Sequence, residues 1–196
     1  MCEYDYENYF SKSKKLDYWA RKVIFDKKYL APIVDSEKYT LNAGSGLFVE
    51  KDTLKIKKLV CVDISAFAVK KLRESKIKAV KANLKSKWPF KTGEFEQTLL
   101  LDVFEHLGHV EFFLKELHRT LQKNGVVVVG LPLLNYWRNY LKLVFMSTNE
   151  VQYDEHPRMF FDSDIKRIFT NAGFVLEKSN YIGITKGYGY YVFKKK

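Results

Sequence analysis

Apolar positions along the chain change period several times, and each change marks a predicted element. Leu16, Trp19, Ala20, Val23 and Ile24 recur at helical spacing, so a polar, Tyr-rich start leads into an amphipathic helix that Pro32 stops. "KYTLN" reads as a first strand, residues 47–56 as a weak helix, and "KLVCVD" as a second strand. "AFAVKKLRES" predicts a helix with Phe67, Val69 and Leu72 toward one side, followed by strands in "IKAVKAN" and "EQTLLLD". Val110, Phe113, Leu114, Leu117 and Leu121 share one helical face, which Asn124 and Gly125 are expected to close. "VVVVGLP" is the unbroken β-branched run of a strand in the middle of a parallel sheet. Residues 162–172 predict another helix, begun by Asp162 or Ser163 and ended by Gly173. Two strands, "FVLEKSNYIGI" and "YGYYVFKK", follow across a short Lys-Gly turn, a connection that only antiparallel strands allow.

Strands alternating with helices, then a hairpin, define an α/β fold. The expectation is a doubly wound Rossmann-like sheet of about seven strands, with an antiparallel C-terminal strand and helices on both faces. One domain is expected over residues 1–196, with a tail and helix at 1–36 and the α/β core at 37–196. The connection over 133–161 is long for a compact domain, and such connections tend to be functional. Its apolar stripe of Tyr136, Trp137, Tyr140, Leu141, Val144 and Phe145 would serve as a lid, or pack on the sheet or on a partner subunit.

Composition narrows the class. Hydrophobic residues make up 46% and aromatic residues 16%, values of a packed globule and not of a disordered chain. Basic residues outnumber acidic ones 34 to 23, and the net +11 would attract anionic partners. The lysines run along the whole chain, with short clusters at Lys12–Lys15, Lys55–Lys58 and Lys194–Lys196, so solvated lysines are favoured over a dedicated nucleic-acid groove. The cysteines, Cys2 and Cys61, cannot form a disulfide framework, and no set of ligands has the spacing of a metal site. No stretch has the length of a membrane span, and the expected location is cytoplasmic.

The informative segment is "TLNAGSGLFVEKDTLKIKKLVCVDIS", residues 40–65. An apolar run enters a Gly-Ser-Gly turn, and a second run ends on Asp63, nineteen residues after Gly44. A nicotinamide site would need a third glycine for tight helix packing, and Val49 stands there. A P-loop is excluded because no Gly-Lys-Ser/Thr follows the turn. What remains is close backbone approach at Gly44 and Gly46, plus a carboxylate able to accept two ribose hydroxyl protons.

From about residue 38 onward the chain resembles the class I S-adenosylmethionine-dependent methyltransferases. "LNAGSGLF" is similar to their glycine motif, "VCVDIS" to their second motif, and "VKANLKSKWPF" to the segment that closes over adenine. "FEQTLLLDVFEHL", "NGVVVVGLP" and "HPRMFFDSDIKRIFTNAGF" resemble their fourth strand, fifth strand and last helix, in the same order. The resemblance implies S-adenosylmethionine as cofactor. Asn42, Gly44, Ser45 and Gly46 would face its methionine part, and Asp63 the ribose hydroxyls. Ile64 would lie on the adenine face, Asn83 and Leu84 at the adenine edge, and Asp102 and Val103 along the methionine end. Asn42 and Asn83 stand where the family commonly has carboxylates, and Phe48 where a third glycine is common; hydrogen bonding survives these changes while charge is lost.

The expected reaction is transfer of a methyl group to an acceptor the sequence does not name, a small molecule or a macromolecule. His106 and His156 are the candidate catalytic residues, each weighed against a loop-anchoring role, and no metal is expected. His106, Asn135, Tyr136, Trp137 and His156 would line a pocket suited to a flat or apolar acceptor. Two alternatives stand beside this reading. One is a non-catalytic binding protein on the same scaffold, motivated by Asn42 and Asn83; the other is an RNA-modifying methyltransferase, with nucleic acid as partner on grounds of charge alone.

Overall fold

A computed structural model describes residues 24–48, 50–108, 110–134, 160–182 and 186–196. Seven strands form one sheet: β1 (Tyr39–Ala43), β2 (Lys58–Asp63), β3 (Lys78–Lys81), β4 (Phe95–Leu101), β5 (Leu121–Pro132), β6 (Phe174–Ile182) and β7 (Tyr188–Lys195). Their spatial order is β3-β2-β1-β4-β5-β7-β6. The first five strands pair in parallel, while β7 is antiparallel to both of its neighbours. The helices are α1 (Ala66–Glu74), α2 (Val110–Thr120) and α3 (Asp162–Asn171).

Alternation along the strands divides the apolar residues between two cores. Leu41, Ala43, Val60, Val62, Val127, Val129, Tyr191 and Phe193 face α2 and α3, where Phe113, Leu117, Phe169 and Phe174 fill the space. The Phe169 and Phe193 rings stack at 4.5 Å. On the opposite face Cys61, Leu99, Val128, Tyr190 and Val192 meet Val69 and Leu72 of α1, together with Leu30. Helices therefore lie on both faces, as the apolar pattern required.

Residues 26–33 are helical but irregular, with a π-turn at Asp26–Leu30 and a 3-10 turn at Ala31–Ile33. They are tied down from far away in sequence. Tyr190 donates to the buried Asp26 carboxylate, and Asn180 Nδ2 donates to the Tyr29 carbonyl at 3.1 Å. Gln97, buried on β4, bonds both backbone groups of Asp35 and also the Thr40 hydroxyl. The amphipathic stripe from Leu16 to Val23 lies outside the described residues, as does the stripe at 136–145.

Two predicted boundaries differ from the structure. The weak helix at 47–56 is a single turn, Lys51–Leu54, because Phe48 and Lys55 both take left-handed backbone angles, φ 45° and 48°. Asn124 and Gly125 do not cap α2, which ends at Thr120. Lys195 Nζ takes the His118 and Leu121 carbonyls at that end, 2.6 and 2.8 Å away. Asn124, at φ 63°, instead turns the chain inside the irregularity between the pairs Phe95–Leu121 and Gln97–Val126.

Candidate cofactor site

Strand order reverses between β1 and β4, and open α/β sheets place ligands at such a switch point, beyond the carboxyl ends of the strands. The residues singled out from the sequence collect there. In spatial order they are Asn83 and Leu84 after β3, Asp63 and Ile64 at β2, Gly44 to Gly46 after β1, and Asp102 and Val103 after β4. Three strand spacings separate the two ends of this row, about 14 Å.

The glycine turn is held from both sides. Gly44 and Ser45 donate their N–H groups to the Val62 carbonyl, at 2.8 and 3.1 Å. Asp63 then clamps the turn with its side chain: Oδ2 accepts the Gly46 N–H at 2.7 Å and Oδ1 the Ser65 N–H at 2.8 Å. Ser65 in turn caps α1 by accepting the Ala68 N–H. Ile64, whose neighbours Asp63 and Ser65 are buried, is 37% exposed.

Glycine is required at position 44 for two reasons. Its φ is +71°, and a Cβ there would come within 2.6 Å of Val103 Cγ2. Val103 thus packs under the turn, so its side chain supports the glycine loop. Phe48 is buried at 2% exposure in the core beside α1, so its bulk is absorbed by packing. Asn42 is likewise buried, within β1. Its register partner Cys61 has a thiol pushed up to about 12 by burial, an effect that the Asp63 and Glu50 charges strengthen.

Asp102 leaves β4 at φ 54°, and its Oδ1 accepts the Tyr188 hydroxyl at 2.7 Å. Burial, and then the Asp102 charge, push the Tyr188 phenol well above its ordinary range, so it remains a donor. His106 closes a 3-10 turn, Phe104–His106, on the same edge. Asn83 forms an Asx turn, its Oδ1 accepting the Lys85 N–H at 2.9 Å. His156, Asn135, Tyr136 and Trp137 fall outside the described residues. Among the described residues no group of side chains could hold a metal ion, and no helix is long and apolar enough to cross a membrane.

Sequence reasoning missed the residues that brace this edge. Glu116 of α2 accepts the Trp88 N–H at 2.8 Å and pairs with Arg119 at 2.6 Å. Arg119 also donates to the Phe90 and Trp88 carbonyls, fixing the loop that carries Asn83 and Leu84. Tyr188 holds Asp102 from β7. The Glu116 and Arg119 pair, three apart on a helix, was visible as a spacing; its partners on another loop were not.

A seven-stranded, mostly parallel sheet with its penultimate position in space filled by a reversed last strand is the class I methyltransferase fold. Residues 40–129, a little under half of the chain, match the family model described as a methyltransferase domain, in line with the resemblance read from the sequence. Solved structures agree on the fold. An S-adenosylmethionine-dependent methyltransferase from Thermotoga maritima, described as a possible histamine N-methyltransferase, aligns with TM-score 0.77 and 17% identity, covering 97% of this chain and 99% of its own. A protein from Pyrococcus horikoshii aligns with TM-score 0.73 and 17% identity over 93% of each chain. The [4+2]-cyclase SpnF aligns with TM-score 0.67 and 10% identity, over 94% of this chain and 83% of its own. No curated protein matches the chain in sequence.

Proposed function

We propose that the protein binds S-adenosylmethionine along this row and transfers its methyl group to an acceptor. The carrying observation is Asp63: its carboxylate ties the end of β2 to the glycine turn after β1, beside the point where strand order reverses and such sheets bind their ligands. Asn83 and Leu84 would meet the adenine edge, Ile64 its face, and Asp102, steadied by Tyr188, the methionine end. Bound there, the cofactor supplies an already activated methyl group, so alignment and exclusion of water contribute more than acid–base help. His106 lies on the edge an acceptor would approach and could take a proton from a protonated acceptor. His156 keeps the same assignment from the sequence.

Calorimetric titration with S-adenosylmethionine tests the reading. Saturable binding is expected, with the melting temperature rising by roughly 5–10 °C at about a hundred times the dissociation constant. No heat and no thermal shift at millimolar cofactor would remove it. The neutral Asn42 and Asn83 support a second reading, a binding protein without turnover; tight binding with no methyl transfer to any acceptor tried would favour it.

A further inference from the structure

We propose that the β3 edge of the sheet is a docking surface for the phosphodiester backbone of a nucleic acid. Residues 50–91 carry thirteen basic residues against four acidic ones, which places +9 of the chain's +11 in this one region. All thirteen are exposed, whereas two of the four acids, Glu50 and Asp63, are buried. Ion pairs among the described residues engage Lys57 with Glu37 and Lys71 with Glu74, leaving eleven cations unpaired there.

The fold gathers these charges. Lys70, Arg73 and Lys81 line one cleft between α1 and β3, together with Glu74, whose carboxylate is paired with Lys71. Arg73 is pinned over it by donating Nε and Nη2 to the Ala79 carbonyl, at 3.0 and 2.8 Å. Lys78 and Lys81 lie on the edge strand itself, and Lys85 on the loop beyond it. Discouraging edge-to-edge pairing would need only Lys78 and Lys81. The other nine unpaired cations lie on the Lys51–Leu54 turn, the first residue of β2, α1 and the connecting loops, and edge protection does not account for them.

The surroundings select the partner. A bilayer-binding surface needs a broad apolar face, and Ile64 is the one exposed large apolar residue among those described in 50–91. Base reading by stacking needs exposed rings, yet Trp88 is buried and Phe67 and Phe90 are half-buried. Lysines without rings suit phosphates, which position a nucleic acid without reading its sequence. A strand bound here would pass the cofactor cleft beside Asn83, although the docking surface stands whether or not methyl transfer occurs.

The test is fluorescence anisotropy without cofactor, using RNA and DNA oligonucleotides of the same sequence, single-stranded and duplex, between about 50 and 200 mM salt. Binding should weaken steeply with salt. The triple variant Lys78→Glu, Lys81→Glu, Lys85→Glu should lose tenfold or more in affinity, and the Lys→Gln version of the same triple should lower the salt slope by about three. A control triple on the opposite edge, Lys178→Glu, Lys186→Glu, Lys196→Glu, should change affinity less than twofold, with thermal melts confirming that each variant folds. Tighter RNA than DNA binding would name RNA as the source of the backbone; equal binding would leave any phosphodiester chain, and both support the surface. Equal losses for the two triples, no binding of any oligonucleotide at about 50 mM salt, or binding only to phosphatidylserine vesicles would each overturn it.

Discussion

At Phe48 two opposing energies meet. A left-handed backbone costs a non-glycine residue about 1–2 kcal/mol, while a ring buried at 2% exposure gains more than that from the core beside α1. Phe48→Gly should remove the strain yet leave a cavity worth about 3–5 kcal/mol, for a net loss of about 3 kcal/mol in urea unfolding. A neutral result would show that the ring contributes little packing. Asp63 carries the complementary expectation for binding. Asp63→Ala should weaken S-adenosylmethionine affinity by about 2 kcal/mol or more, since two hydroxyls lose a charged acceptor. It should also lower the melting temperature, because the Gly46 and Ser65 N–H groups lose theirs. An unchanged dissociation constant would place the ribose elsewhere. The glycine turn and Asp63 were legible in the sequence because nineteen residues of strand, turn and strand confine them to one edge. Phe48 was legible only as bulk: propensity argues against an aromatic residue at positive φ, so its burial had to be seen.

The loop after β3 depends on an element far along the chain. Glu116 of α2 anchors Trp88, and the Arg119 guanidinium holds the Glu116 carboxyl below its usual 4.5. A lowered folded value means that this carboxyl stabilises the protein above about pH 4.5 and loses that contribution as pH falls through the folded value. Glu116→Gln should therefore cost about 2 kcal/mol at neutral pH and flatten the fall in stability as pH drops below about 4.5. Parallel pH curves for variant and wild type in thermal unfolding would contradict the assignment. Such bracing was invisible in the sequence for a simple reason. The Glu116 contact spans 28 positions, the Tyr188–Asp102 contact 86 and the Tyr190–Asp26 contact 164. Periodicity reports which face of an element is buried, not which partner arrives on it. The end of α2 shows the same limit: a local Asn-Gly signal pointed to a cap, and a lysine 77 residues from His118 supplied one instead.

Across the whole molecule, strand alternation, the doubly wound class and the closing hairpin were readable, because each rests on short-range pattern and on the rules of parallel connection. The spatial order of the strands came from the structure. Where β7 inserts was not written locally; it follows from β5 having an edge to fill. That placement has a kinetic consequence. The parallel half of the sheet can pair in sequence order, but one side of β5 waits for a hairpin that begins more than forty residues after Pro132. During that interval Val126 to Val129 present an unpaired, β-branched edge, the kind of strand that recruits other chains. Refolding yield should accordingly fall as protein concentration rises from about 1 to about 50 μM, while native stability, measured after folding, stays independent of concentration. A yield unaffected by dilution would mean that the hairpin docks before β5 is exposed. The strand that gives the sheet its mixed character is also the last of the seven in chain order, and on this expectation solubility during folding rests on how quickly it docks.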